Sequence, residues 1–426
     1  MAHTSSSQPL VSRKAAQLVG SEIIKLAAEI NALKASGAEI YNLTIGDFNP
    51  SIFPIPKALE DGIVGAYRAG ITNYPPSNGL AELRKAVSGF IEQRLGLAYD
   101  ADSYLIAGGA RPLIYATYQA LVDPEDKIIF PIPSWNNNHY THLSSGVKVA
   151  VKTRPEDAFM PTAELLAPHV QDATLIAVCS PLNPTGTVFP KEQLEAICDL
   201  VLEENARRGP GEKPLYLLYD QIYWQLTYQG AVHYDPVSLR PEMRDYTVYI
   251  DGISKCFAAT GVRVGWAFGP QAVIGRMKSI LGHVGAWAPR AEQAATVDFL
   301  EDTAGVDSYM KEMRQKCEDR LLGFHNGFQA LKAKGYAVDS ISPKGAIYLT
   351  IRLDLVGKTT ADGTVLTDNQ AVHKYVLEAA GLAVVPFYAF GGERDQPWYR
   401  LSIGTAKMED MPVLLEKLDA ALAGLS

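Results

Sequence analysis

A large α/β domain built on a mostly parallel sheet, joined to a smaller α+β domain, is the fold that this 426-residue chain predicts. Three observations carry the prediction. The length exceeds that at which a single hydrophobic core stops growing, so two lobes are expected. Through the middle of the chain, short runs rich in β-branched and aromatic residues alternate with helix-like stretches. From about residue 310 the alternation gives way to one long charged helical pattern, a few strands and a terminal helix.

Taken in order, Met1–Gln8 is polar and Ser-rich, lacks a signal peptide's apolar core, and reads as a flexible arm. Strands are expected at Tyr104–Ala107, Lys127–Phe130, Val147–Val151, Thr174–Cys179, Leu215–Tyr219 and Thr247–Asp251. Most are nearly continuous apolar runs, the mark of strands covered by helices on both faces. Helical patterns lie between them, at Pro112–Val122 and at Lys191–Glu204, which follows Pro190. Arg207–Pro214 and Gly357–Asp368 read as surface loops. Beyond them come a helix at Tyr309–Lys334 and strands at Ala346–Ile351 and Arg400–Ile403.

Composition narrows the function. Hydrophobic residues make up 47% and charged residues 20%, ordinary for a globular protein. A net charge of −8 argues against a nucleic-acid or anionic-membrane partner, either of which needs a basic face. Cys179, Cys198, Cys256 and Cys317 are irregularly spaced, which suits reduced thiols in a cytoplasmic protein. No apolar run is long enough to span a membrane. Two motifs mislead. Gly357-Lys358-Thr359 resembles the end of a phosphate loop, but Arg352 stands where that loop needs glycine. His139 and His142 lack a third ligand, so no metal site is expected.

The chemistry gathers around Lys255. A lysine just past a buried strand is costly unless it is paired, neutralised or used covalently, for example as a Schiff-base amine. Alone it also reads as a surface lysine at a strand end, but its company argues otherwise. Arg263, eight residues on, offers a guanidinium fork for a phosphate. Asp220 stands at the carboxyl edge of its strand, where open α/β sheets bind ligands. A carboxylate there would keep a pyridine nitrogen protonated, and the ring needs that to act as an electron sink; the plainer reading is a turn cap. Tyr223 is placed to donate to the ring's phenolic oxygen. In Ser180–Gly186, prolines and a glycine hold Asn183 toward the same edge. Gly108-Gly109-Ala110-Arg111 opens a helix whose N–H groups suit a phosphate. Trp135 offers a flat face for stacking.

Together, Ser-Pro-x-Asn-Pro-Thr-Gly at 180–186, Tyr-Asp-x-x-Tyr at 219–223 and Ser-Lys-(x)6-Gly-x-Arg-x-Gly at 254–265 form a specific set. With them the chain resembles the class I/II aminotransferases of the fold-type I pyridoxal-phosphate superfamily, in its bacterial aspartate/aromatic subgroup. The likeness runs from Tyr41–Gly46 to Tyr399–Gly404. It implies a seven-stranded sheet and three portions. Residues 1–56 form an arm and part of the small domain, 57–308 the cofactor-binding domain, and 309–426 the rest of the small domain. It implies pyridoxal 5'-phosphate as cofactor, with Lys255 as its Schiff-base anchor and proton carrier. Asp220 would pair with the ring nitrogen, and Asn183 and Tyr223 with the phenolic oxygen. Gly109, Ala110, Arg111 and Arg263 would hold the phosphate, and Trp135 would stack on the ring. Arg400 would grip the substrate α-carboxylate near Gly46. Tyr74 would reach the phosphate of a neighbouring subunit, which implies a homodimer with shared active sites. Relatives often carry a phosphate-binding serine three residues before the lysine; Gly252 stands there, and Ser254 is its substitute. No arginine is assigned to the substrate side chain. The activity implied is ping-pong amino transfer between an L-amino acid, of aspartate or aromatic type, and a 2-oxo acid. β-Elimination on the same scaffold and a non-enzymatic cofactor-binding regulator are the alternatives.

Overall fold

The computed structural model describes residues 11–18, 20 and 22–426, without the side chains of 23–25. The arm expected at Met1–Gln8 lies outside the described residues. Seven strands make the large sheet: β1 Tyr104–Ala107, β2 Lys127–Ile132, β3 Val147–Lys152, β4 Ala173–Cys179, β5 Tyr216–Asp220, β6 Thr247–Gly252 and β7 Gly265–Phe268. Their order is β1-β7-β6-β5-β4-β2-β3. Neighbours from β6 to β3 pair in parallel, while β7 runs antiparallel to both β1 and β6.

The apolar runs explain the sheet. Ile129, Ile176, Leu217 and Tyr249 enter one core, while their neighbours Ile128, Leu175, Leu218 and Val248 enter the other. Alternation at period 2 with both faces apolar is what a sheet between helix layers demands. Truncating one of these, Leu218→Ala for instance, costs about 2–5 kcal/mol. Six strands fall where the sequence predicts, with β5 starting one residue later. The seventh, β7, is not anticipated. It spans four residues and is bounded by Gly265 and Gly269, whose composition reads as turn. Gly265 is there for space: a Cβ would collide with the Gly109 carbonyl carbon and the Ala110 nitrogen.

A smaller antiparallel sheet holds β8 Val338–Ser340, β9 Tyr348–Leu353, β10 Val385–Pro386 and β11 Trp398–Ser402, in the order β10-β11-β9-β8. The long helix leading to it starts at Thr303, earlier than the Tyr309 expected, because the Asp302 carboxylate accepts the Gly305 N–H at 3.0 Å. The helix therefore crosses the boundary expected at 308/309. Helix Glu22–Ala35 packs Ile30 on Leu377 and Ala383, and Tyr41–Asn42 pairs with Leu382–Ala383. This carries residues 43–47 across the carboxyl ends of β4 and β5, where the two sheets meet. Among the described residues no helix is long and apolar enough to cross a membrane.

Candidate active site

A cavity of about 760 Å³ opens there, and most of the residues singled out in the sequence line it. Lys255 follows β6 in the short helix Ile253–Cys256. Its Nζ donates to the Gly46 carbonyl at 2.6 Å. Burial pulls its pKa down to about 8; Asp47 pushes the other way, and the cations Arg400, Arg111 and Arg263 reinforce the drop. Asp220 ends β5 and faces the same cavity. One of its oxygens accepts the Ile222 N–H at 3.1 Å, so the turn-cap role is real but engages only one oxygen. Burial raises its pKa to about 6, offset partly by that N–H and by Lys255. A part-neutral lysine and a carboxyl reluctant to ionise share one chamber.

Arg400, on β11, is 2% exposed. It donates to Asn183 Oδ1 at 3.0 Å and to the Thr44 carbonyl at 2.6 Å, while its Nε has no partner among the described residues. Its guanidinium lies between the rings of Tyr348, 4.6 Å away, and Phe390, 4.8 Å away. The groups acting on its charge are Tyr348 and Tyr223, with no carboxylate among the described residues, and burial lowers its pKa. Asn183 is fixed by the turn that follows it: Gly186 sits at φ 72°, and a Cβ there would collide with the Tyr348 carbonyl. With Asn183 Oδ1 occupied by Arg400, its amide N–H groups are the part left to donate.

The phosphate seat expected from the sequence lies where helix Ala110–Leu121 begins. Gly109, the residue before it, has φ 92°, and a Cβ there would overlap the Arg263 guanidinium. Arg263 is held by the carbonyls of Gly108, at 2.8 Å, and Thr260, at 2.6 Å. Ala110, Arg111, Ser254 and Arg263 line the cavity, as do Gly46 and Trp135; Gly109 stands one residue behind the wall. The Arg111 guanidinium lies 5.5 Å from the Trp135 ring. Two expected residues differ from the rest. Tyr223 does line the cavity, but its hydroxyl already bonds Tyr348 at 2.7 Å. Tyr74 is 81% exposed and lies outside the cavity of its own chain, edge-on to Trp287.

Sequence reasoning missed several wall residues. Asp47 accepts the Thr260 hydroxyl at 2.6 Å and faces Lys255; Tyr348 links Tyr223 with Arg400; Ala27 and Asn31 come from the N-terminal helix. Only Tyr348 left a signal, as a hydroxyl inside the apolar run at 346–351.

A half-buried carboxyl with one open oxygen, a lysine whose pKa is drawn down to about 8 and a glycine seat under an arginine fit the three ends of pyridoxal phosphate: ring nitrogen, aldehyde carbon and phosphate. Comparison with known proteins agrees. The sequence profile described as "Aminotransferase class I and II" matches residues 38–418. An aspartate aminotransferase of Rhizobium meliloti is 29% identical over 409 residues, covering 95% of this chain and 94% of that protein. An aspartate/prephenate aminotransferase of Thermus thermophilus is 29% identical over 417 residues, covering 97% and 98%. The crystal structure of an aspartate aminotransferase from Rhizobium meliloti superposes with a TM-score of 0.88 at 27% identity, covering 98% of this chain and all of that one. Alike in sequence and in fold over nearly its whole length, the chain belongs to the class I and II aminotransferases, a family of enzymes.

Proposed function

We propose that this enzyme moves the amino group of an L-amino acid, of aspartate or aromatic type, to a 2-oxo acid, with pyridoxal 5'-phosphate held on Lys255. The observation that carries the reading is the set of unmatched charges in one cavity: Arg400 is buried there and Lys255 and Asp220 half-buried, without ion-pair partners among the described residues. Bound pyridoxal phosphate supplies an electron sink for the carbanion left at the substrate Cα. The chain supplies the rest. Arg400 grips the α-carboxylate through its two-pronged guanidinium and so fixes which Cα bond faces the ring. Lys255, with a pKa near 8, takes a proton at Nζ and returns it close to neutral pH. Asp220 faces the ring nitrogen, and Tyr223 and Asn183 donate toward the phenolic oxygen. Ala110, Arg111, Arg263 and Ser254 hold the phosphate, with Gly109 shaping the seat, while Trp135 stacks on the ring and Gly46 leaves room for the substrate. The exposure of Tyr74 supports a homodimer in which it reaches the partner subunit's phosphate. The free cysteines support a cytoplasmic location.

The test is a half-reaction. Single amino acids are added to the purified yellow protein, and the absorption of the lysine-linked cofactor is followed. Loss of that band with release of the matching 2-oxo acid, for aspartate or an aromatic amino acid, is the expected result. Pyruvate and ammonia formed without an acceptor would overturn amino transfer. Failure of borohydride to fix the cofactor on Lys255 would overturn the site.

A further inference from the structure

We propose that Tyr348 is a positioning residue that relays the charge state of Arg400 to the Tyr223 hydroxyl, tying capture of a substrate carboxylate to the proton affinity of the lysine-linked cofactor. The proposal rests on the roles given above to Lys255, Tyr223 and Arg400. It begins with geometry. Tyr348 lies on β9, 1% exposed, with its ring face 4.6 Å from the Arg400 guanidinium and its hydroxyl 2.7 Å from that of Tyr223. The two tyrosine rings meet edge-on at 5.6 Å. A Cβ on Gly46 would stand 2.8 Å from the Tyr348 hydroxyl, so a glycine is required to leave that hydroxyl in place. Tyr348 thus touches the residue proposed to grip the substrate and the residue proposed to serve the cofactor oxygen.

The pair has a direction. Burial makes both phenols harder to ionise, and more so at Tyr223; the Arg400 cation opposes this, and its guanidinium lies 4.6 Å over the Tyr348 ring. Tyr348 is therefore the more acidic hydroxyl and donates to Tyr223, which leaves the Tyr223 O–H free to donate into the cavity. The Arg400 charge over its ring strengthens Tyr348 as a donor, and a donor is strengthened by the donor behind it, so the influence runs from Arg400 through Tyr348 to Tyr223 and outward. A carboxylate pairing with Arg400 cancels the field at Tyr348 and weakens both donations. The cofactor oxygen then keeps more negative charge and holds the proton on Lys255 Nζ more tightly. Loss of the direct Arg400 repulsion on Lys255 acts in the same direction. The other groups facing Tyr348 are Cys179, which burial keeps as a thiol, and Asp47, engaged by Thr260 and by the Phe48 N–H. Asn183 offers a second path from Arg400, so the Tyr348 share must be separated.

Tyr348→Phe does this, since it keeps the ring on Arg400 and removes only the hydroxyl. In the holoenzyme, the pH titration of the visible absorption is recorded with and without propionate, an unreactive carboxylate. Propionate is expected to raise the apparent pKa in the parent enzyme. In Tyr348→Phe the pKa without propionate is already higher, and the propionate-induced rise is smaller by about 0.5 unit. The propionate dissociation constant stays within about two-fold, because the arginine keeps its stacked ring. In a Tyr223→Phe background the second substitution changes nothing. An unchanged propionate response in Tyr348→Phe, or an equal effect with Tyr223 already removed, overturns the relay. Absence of a chromophore fixable on Lys255 in the parent enzyme overturns the cofactor reading beneath it instead.

Discussion

Two of the places where this molecule takes charge out of water do it in opposite ways. At the end of helix Lys191–Arg207, the Glu204 carboxylate takes hydrogen bonds at 2.9 Å from Arg207 and from Arg208, and Arg208 also reaches the carbonyls of Val170 and Ala173. Arg207 beside it, with Arg208, holds the Glu204 carboxyl below the usual range. In the cavity Lys255, Asp220 and Arg400 have no such partners among the described residues, and burial moves each toward its neutral form. The first arrangement is complete as folded and pins the start of β4. The second leaves its charges for a ligand to match. Unmatched buried charge therefore separates a site from a structural ion pair more sharply than burial alone.

The contrast can be broken by substitution. Lys255→Ala is expected to lower turnover on the order of 10^3-fold or more, measured as single-turnover loss of substrate. It should also stabilise the cofactor-free protein. The folded pKa near 8 lies below the unfolded 10.5, so the unfolded chain binds more protons between those values. The parent's penalty is then full below pH 8, on the order of 3 kcal/mol, and vanishes as pH rises to about 10.5. Denaturant melts across that range would read it; a flat difference between parent and variant would contradict it.

Arg400→Met should lower kcat/KM for amino acids by about 10^2 to 10^3-fold while leaving a simple amine without a carboxylate unaffected. Equal losses on both substrates would remove Arg400 from carboxylate binding. For Asp220→Asn a fall of about 10^2-fold is expected. Its folded pKa near 6 exceeds the unfolded 3.8, so the parent loses stability as pH rises through that interval. The cofactor-free variant should therefore gain on the order of 3 kcal/mol above pH 6. The smallest catalytic effect belongs to the other region. Glu204→Gln should leave kcat/KM within about two-fold yet cost about 2 kcal/mol of stability, because Arg208 loses its counter-charge. The Glu204 pKa is lowered on folding, so this cost is present above the unfolded value and shrinks as pH falls below it. A stability change in Glu204→Gln that ignores pH would show the pair to be of another kind.

Much of this could be read before any coordinates. The parallel strands announce themselves because both their faces are apolar, and Lys255, Asp220 and Asn183 stand at strand ends where ligand-binding residues of α/β sheets gather. What stayed hidden depends on long-range pairing. β7 looked like turn because Gly265 serves close approach to Gly109, and Gly269 close approach to Thr247, rather than a change of direction. Asp47 and Tyr348 meet the site only after residues 43–47 and β9 are brought to it by other elements, and no local pattern reports that. Arg400 was legible from its motif, but its lack of a counter-charge was not.

The placement of β7 has a last consequence, for the order of assembly. Its pairing with β1 closes a stretch of some 160 residues, and only then does Gly265 rest on Gly109 and Arg263 reach Gly108. Contacts so distant along the chain form late in folding. The turn at Gly108–Arg111 thus depends on a pairing between strands far apart in the chain, and it is complete only when the central sheet is.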